Sequence, residues 1–598
     1  MTPQEFLDQF GTLAENGVQT LREFVLQLAI QGKLVAQDSS DEPTEELILR
    51  CEQERKRLAD ANKISTKRRL PEVDGCEEEF VAPNGWKWCR INHICDHRLG
   101  KMLDKSKNKG TPQRYLRNTN VQWLQFDLTD VKEMRFEDAE LDEFEVRCGD
   151  LMVCEGGYPG RCAIWRNAAE KMMFQKAIHR VRPLAEIYPE FLLMRLWGDS
   201  CRGHLDQYCT GATIKHFTGK ELARYAICLP PLAEQQRIVA KVDELMRLCD
   251  GLEAVQKQRR GVRLRLNRSS LDRLTVVQST AQVSAAWQRV CDHFEVLYDT
   301  PETLPDLRQT ILQLAVQGKL VKQDPHDEPA EELLNRLATE KAELVKQKTI
   351  PKPAKLQPVN GEVPFPIPPT WRWERLGNIT HKIESGWSPQ CESYPRTDDN
   401  WGVLKISAVT WGTFNPDANK ALPAHLEPRP HCEVQAGDFV MSRANTSELV
   451  AKSVVIESTP PRLLLNDKLL RVIFPDAIDP QFVNLYNNCQ FARDYYIEVA
   501  SGTSVSMRNV SRDNVGNLLI PIPPLPEQKR IVSKGTDLLS QVTRLESTLT
   551  RREATRTQLL TAAIHSILSG APDDDNNVVL ASVTEVEITF VGNHDNDI

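Results

Sequence analysis

No stretch of the 598-residue sequence holds about 18 consecutive apolar residues, the length a membrane-crossing helix needs. The first residues, MTPQEFLDQF, lack a basic flank followed by an apolar core, so no secretory signal is expected. Fifteen cysteines without such a signal read as reduced thiols of a cytoplasmic protein. Twelve of them lie at or before Cys291, and a disulfide framework would not spare one half of a chain. Motifs for catalysis are missing too. The sequence has no G-x-x-x-x-G-K-[ST] phosphate loop, no H-E-x-x-H and no G-x-S-x-G. It also lacks the Asn-Pro-Pro-aromatic or Asp-Pro-Pro-aromatic tetrapeptide of amino-methyltransferases; Asn415-Pro416-Asp417 does not qualify. Cys89, His93, Cys95 and His97 are zinc-type ligands. Their spacing matches no common structural site and has no second copy, so the alternative is buried thiols and surface histidines, and no metal is assigned.

Positive charge is short overall, with a net charge of −8, but its distribution matters more. Residues 571–598 carry seven acidic residues and no Lys or Arg, and residues 1–60 carry twelve acidic against six basic. The remainder is therefore net positive. Residues 87–117 hold nine basic side chains against Asp96 and Asp104, and residues 257–273 hold seven against Asp272. Basic stripes on an acidic whole suit contact with phosphate; a solvated loop and a charged helix face are the alternative.

An internal repeat organises the chain. LREFVLQLAIQGKLVAQDSSDEPTEELI (21–48) returns as LRQTILQLAVQGKLVKQDPHDEPAEELL (307–334), with 19 of 28 positions identical. ICLPPLAEQQRIVAKVDELMRLCDGLEA (227–254) returns as IPIPPLPEQKRIVSKGTDLLSQVTRLES (520–547). Fainter echoes are GWKW (85–88) with TWRW (370–373), and Gly149-Asp150 with Gly437-Asp438. One unit of about 290 residues is used twice, which suggests a fused pseudo-two-fold molecule.

The repeated ends are helical by pattern. Leu307, Ile311, Leu314, Ala315 and Gly318 recur at spacings of three and four, and Gln317-Gly318-Lys319 should end or bend that helix. Pro230-Pro231 and Pro523-Pro524 suit the approach to a helix. After the first pair, Ile238, Val242, Leu245, Leu248 and Leu252 form a second stripe. Such helices pack best on each other, as an antiparallel coiled coil. The diverged middles carry short β-type runs: Val121–Phe126, Leu151–Cys154, Val403–Ile406, Phe439–Met441, Ser453–Ile456 and Leu469–Phe474. PKPAKLQPVNGEVPFPIPP (351–369) should be an extended connector. The acidic tail looks poorly ordered, although Val583 to Val591 alternates enough for a strand. Gly156-Gly157-Tyr158-Pro159-Gly160-Arg161 is either a phosphate cradle or a tight hairpin end.

The repeated P-P-L-x-E-Q-x-R-I-V, L-Q-L-A-[IV]-Q-G-K-L-V and D-E-P-x-E-E-L closely resemble the specificity (S) subunits of Type I restriction-modification enzymes. Weaker family features are Gly110-Thr111-Pro112, Gly386-Trp387-Ser388-Pro389, Gly211-Ala212-Thr213 and Gly502-Thr503-Ser504. The resemblance implies an α+β chain with two mixed α/β target-recognition domains joined by long antiparallel coiled-coil helices. The expected divisions are a helical region 1–79, a recognition domain 80–226, and a central helical region with its Pro-rich linker 227–364. A second recognition domain 365–519, a helical region 520–570 and the acidic tail 571–598 complete them. It also implies a non-catalytic subunit that reads a bipartite, asymmetric site on double-stranded DNA in the prokaryotic cytoplasm. The methyltransferase (M) subunits, two of them, and the restriction/translocase (R) subunits would be its partners and hold S-adenosylmethionine, ATP and Mg. A coiled-coil protein scaffold without nucleic acid is the alternative, and an enzyme with an unrecognised nuclease site ranks third.

Candidate DNA contacts in the first block are Lys101, Lys105, Lys107, Lys109, Arg114, Arg117, Glu155, Arg161, Thr213 and Lys215. In the second they are Ser388, Gln390, Arg443, Asn445, Ser504 and Arg508. Basic residues would meet phosphates, and loop-tip polar groups would read base edges. The second block has Arg443-Ala-Asn-Thr-Ser447 where the first has its Gly-Gly loop, so contacts need not correspond. Candidate partner contacts on the helices are Gln235, Arg237, Leu314, Gln317, Gln528 and Arg530.

Overall fold

The two repeated tryptophan motifs each open a short strand, and each strand is closed by the stretch just before the repeated Pro-Pro. Lys87–Arg90 pairs antiparallel with Ala226–Leu229, with Lys87 opposite Leu229. Arg372–Arg375 pairs in the same way with Leu519–Ile522, with Arg372 opposite Ile522. Each diverged block therefore leaves and returns through a two-stranded ribbon.

The computed structural model describes residues 17–61, 63–64, 70–104, 108–167, 169–211, 213–276, 280–359, 361, 363–397, 399–410, 412–504 and 507–569. The acidic tail and the strand expected at Val583–Val591 lie outside them. The chain forms two units: described residues up to Arg259 and from Glu553 onward in the first, and Arg260–Arg552 in the second. Two helices of 45 residues, Leu232–Val276 and Leu525–Ser569, begin in one unit and end in the other.

In the first unit, helix Gly17–Ile30 buries Leu21, Phe24, Val25, Leu28 and Ala29. It stops because Gly32 turns left-handed (φ 68°) while the Lys33 amide bonds back to Leu28 O at 2.9 Å. Helix Thr44–Asp60 follows Pro43, with Glu45 and Glu46 in its first turn, where the helix dipole favours them. The block beyond contains two sheets. One has the strand order Cys95–Leu99, Ile178–Pro183, Leu151–Cys154, Cys162–Ile164, all antiparallel. The other has the order Lys132–Phe136, Thr111–Leu116, Met172–Phe174, Glu145–Val146, and its two middle strands are parallel.

The second unit repeats this plan. Helices Leu304–Val316 and Ala330–Lys346 precede the ribbon. One sheet orders Lys382–Ser385, Leu469–Ile473, Phe439–Ser442, Ser453–Val455, again antiparallel. The other orders Asn419–Ala421, Gly402–Leu404, Leu463–Leu464, again with one parallel pair. The two Gly-Asp echoes are the same turn. Asp150 accepts the Arg147 amide at 2.6 Å and Arg182 at 2.6 Å; Asp438 accepts the Gln435 amide at 2.9 Å and Arg471 at 3.0 Å. Gly149 and Gly437 precede them at φ 91° and 90°, values that suit glycine.

The chain is thus α+β with two mixed blocks, as the sequence implies. One expected strand is absent. Val121–Phe126 is a loop closed by a single bridge between its ends. Leu124 turns left-handed there (φ 69°), which breaks the alternation that a strand needs.

Candidate functional site

The repeated motifs meet at one joint in each unit. In the second unit the Trp371 indole donates to Glu527 Oε2 at 3.0 Å. Burial pushes the Glu527 carboxyl up to about 7, and burial likewise raises that of Glu234, its counterpart beside Trp86. Gln528 accepts the Asp479 amide at 2.9 Å and donates to Pro523 O at 2.9 Å. Gln235 accepts the Tyr188 amide at 3.1 Å and donates to Pro230 O at 2.9 Å. Arg237 pairs with Asp41 at 2.6 Å, and Arg530 with Asp327 at 2.5 Å. The Glu, Gln and Arg of P-P-L-x-E-Q-x-R therefore each meet a group in another repeated segment or at the foot of their own block.

This corrects part of the sequence reading. Gln235, Gln528 and Leu314 are buried within their own units, so a partner subunit cannot touch them. The Arg237 and Arg530 guanidiniums are engaged internally, and Gln317 is half-buried beside the helix-ending Gly318. Trp86, Trp371, Glu234, Glu527, Asp41 and Asp327 were the structural residues to single out. Their signal was identity between the two repeats.

Among the first block's candidates, Lys105 and Lys107 lie outside the described residues. Lys109 is exposed. Lys101 is not available to phosphate as it stands. It donates to Glu140 at 2.5 Å and to Arg135 O at 3.1 Å, and its ammonium lies 5.0 Å from the Phe136 ring centre. Arg117 is held by Asp130 at 2.6 Å, while exposed Arg114 makes a looser pair with Glu170 at 3.3 Å. The remaining candidates converge. Arg161 donates to Gln122 Oε1 at 3.1 Å and Asn118 O at 2.8 Å, tying the glycine loop to the loop at 118–126. Glu155 O accepts the Phe217 amide at 2.7 Å, tying the same loop to the segment carrying Thr213 and Lys215. Thr213 is exposed, and Lys215 pairs with Asp206 at 2.7 Å on the surface. The loop is a hairpin end between two strands, not a free phosphate cradle.

The second block gathers Asn445, Arg508 and the backbone of Ser504 in a small sheet, and Arg443 adjoins it, its carbonyl accepting the Val510 amide at 2.9 Å. Ala444–Asn445 pairs with Met507–Asn509, which pairs with Ser501–Ser504. Arg508 bonds the Gly502 carbonyl of its own hairpin at 2.8 Å and the Ile497 carbonyl of the preceding helix at 3.1 Å. Ser388 donates to Asp467 at 2.5 Å, and the Arg443 amide bonds Lys468 O at 2.7 Å, so Ser388 joins the same edge. Gln390 is exposed nearby in sequence.

The second basic stripe is a charged helix face. Arg263 pairs with Asp299 at 2.6 Å, Arg268 with Asp306 at 3.9 Å, and Arg260 with Glu302. Cys89 and Cys95 are buried thiols, and burial raises both well above the usual thiol range, which disfavours the thiolate that zinc takes. Among the described residues, the one cluster with ligand atoms within 4.8 Å of each other is Glu79, Asp199 and His204. Arg195 and Arg202 already occupy its carboxylates. Burial opposes ionisation of Glu79, but the His204 bond and the two guanidinium charges outweigh it and hold the carboxyl at about 2. This is a structural charge network, filled by its own cations.

Residues 83–259 match the family model described as Type I restriction modification DNA specificity domain. The Type I restriction enzyme EcoEI specificity subunit of Escherichia coli is 31% identical over 94% of this chain and 95% of its own length. The EcoAI specificity subunit, also of Escherichia coli, is 28% identical over 90% and 91%. Among solved structures, the HsdS subunit from Thermoanaerobacter tengcongensis is 19% identical over 83% of this chain and 100% of that one, with a TM-score of 0.39. A chain from a study of type I R-M complex assembly gives 19%, 82% and 99%, with a TM-score of 0.47.

Proposed function

The chain belongs to the DNA specificity subunits of Type I restriction-modification enzymes, and from that premise we propose that residues 80–226 and 365–519 each read one half of a split, asymmetric DNA site. The observation that carries this is the contrast within each repeat. The same Gln bonds and Arg–Asp pairs at the joint, and the same order in the all-antiparallel sheet, carry loops that differ: a glycine hairpin in the first block, a three-stranded edge in the second. Matching mounts with unlike tips suit two readers of two different sequences.

In this reading the basic residues Lys105, Lys107, Lys109 and Arg114 meet phosphates and set register. Thr213, Lys215 and Gln390, with Asn445 on the small sheet, are the polar groups offered to base edges. Lys101, Arg117, Arg161 and Arg508 shape the loops instead, since each is already bonded to a neighbouring carboxylate, amide or carbonyl. The chain supplies no catalytic group. Methyl transfer with S-adenosylmethionine, and ATP- and Mg-dependent translocation and cleavage, belong to two M subunits and to R subunits in the prokaryotic cytoplasm. The exposed face of the first long helix, including Leu248 and Val255, replaces Gln235 and Leu314 as the docking candidate for an M subunit.

The test is an exchange. Replacing residues 80–226 with the equivalent block of a relative should change one half of the methylated site and leave the other intact, read by sequencing modified sites in cells. A change in both halves, or in neither, would refute two independent readers.

A further inference from the structure

Three loops of the first block carry large apolar side chains that solvent reaches: Leu124 is 51% exposed, Tyr158 69% and Ile214 64%. A single exposed apolar residue is ordinary. Three on loops that brace one another are not explained by the block's own packing. The Leu124 amide bonds Cys162 O at 3.1 Å, beside the Arg161 that ties the glycine loop to Gln122. A methyl group on Gly156 would lie 3.1 Å from His216 Nδ1, so the Tyr158 loop and the Ile214 loop are in direct contact.

Each tip is also built to hold its shape. Leu124 sits left-handed (φ 69°), a conformation that a leucine takes only when its surroundings impose it. The Arg161 guanidinium lies 4.8 Å from the Tyr158 ring centre, supporting the ring on one face. The Ile214 loop is closed by the reciprocal Thr210 and His216 backbone bonds, at 2.9 and 2.8 Å. Gly211 approaches Ile214 O so closely that a Cβ there would be 2.2 Å away. Lys215 and Thr213 flank Ile214, so the apolar tips stand among groups that suit nucleic acid.

We propose that Leu124, Tyr158 and Ile214 form an apolar reading tip that packs against thymine C5-methyl groups in the major groove. This rests on the first block being a DNA reader. The C5-methyl is the apolar feature that distinguishes a base pair's major-groove edge, and it marks both A·T against G·C and which strand holds the thymine. Reading it takes an apolar contact rather than a hydrogen bond.

The probe is uracil, which lacks only that methyl. In the assembled methyltransferase, duplexes carrying uracil at each thymine of the half-site assigned to residues 80–226 are compared with the all-thymine duplex. Burying one methyl is worth about fourfold in affinity, so at least one uracil position should bind about fourfold more weakly. Leu124→Ala, Tyr158→Ala and Ile214→Ala should lose that discrimination at the position each one contacts, while Tyr158→Phe keeps it. Uracil penalties in the other half-site should be unchanged by all four. Uracil bound as well as thymine by the unaltered protein, an equal penalty in every variant, or a half-site made only of G·C pairs would each overturn the proposal. So would loss of subunit assembly in the variants, which would make the patch a protein contact. Failure to bind the cognate all-thymine duplex at all would sink the DNA-reading premise itself, a result distinct from these.

Discussion

Replacing Glu527 with Gln isolates the pH cost of the joint. The Glu527 side chain sits in the first turn of the second long helix and is 1% exposed. Its Oε2 accepts the Trp371 indole, and Oε1 has no hydrogen-bond partner among the described residues. Burial dominates and lifts the carboxyl from 4.5 to about 7, against the opposing pull of the Trp371 bond and Arg530. The folded state therefore binds the proton more tightly than the unfolded chain does. Protonated Glu527 contributes fully below about pH 4.5, and the contribution is lost as pH rises to about 7. At 1.36 kcal/mol per pH unit, the loss is about 3 kcal/mol. Gln cannot ionise, so Glu527→Gln should gain about 2–3 kcal/mol on the parent protein between pH 5 and pH 8, part of the loss having already occurred below pH 5. Any cost of burying the amide NH2, about 1–3 kcal/mol, does not vary with pH and cancels in that difference. Urea unfolding followed by tryptophan fluorescence at pH 5, 6, 7 and 8 measures it, with the second unit's transition read separately. A difference between variant and parent that stays constant with pH would refute a buried, proton-holding carboxyl. Glu234→Gln should move the first unit's transition in the same direction.

Replacing Lys105, Lys107 and Lys109 with Ala should weaken binding to all DNA sequences alike and lower the salt slope of log K by about 0.9 per lost phosphate contact; an unchanged slope would remove them from the interface. Adding four residues to each long helix lengthens it by about 6 Å, close to two base pairs. The methylated site should then keep both halves and gain spacer, and methylation at the original spacing would show that the helices do not set the distance. Gly318→Ala should destabilise the second unit by about 1–3 kcal/mol in thermal unfolding, because it adds both a left-handed alanine and a clash. Gly318 has φ 69°, and a Cβ there would stand 2.6 Å from Pro368. A variant as stable as the parent would show that the turn is not constrained.

The residue pattern alone carried the architecture. Two near-identical segments in the same order implied one frame used twice, and both 45-residue helices follow the repeated Pro-Pro as the pattern requires. Periodicity is local, so the chain sequence reports it directly. Gly318 was readable as a helix end for the same reason: the αL turn it needs is a property of one residue.

The purpose of the repeated polar letters was decided only in three dimensions. Gln235 and Gln528 look like surface residues on a helix face, yet each is buried and bonded between the Pro-Pro carbonyl and a block amide 47 or 49 residues earlier in the chain. Lys101 and Arg161 look like phosphate ligands, yet Glu140, Gln122 and backbone carbonyls take up their donors. Leu124 looks like part of a short strand, yet it stands in solvent at a loop tip, as Ile214 does. In each case the deciding partner lies far away in sequence. Composition and spacing can say which side chains could bond, but burial and partnership are set by which distant segments the fold brings together.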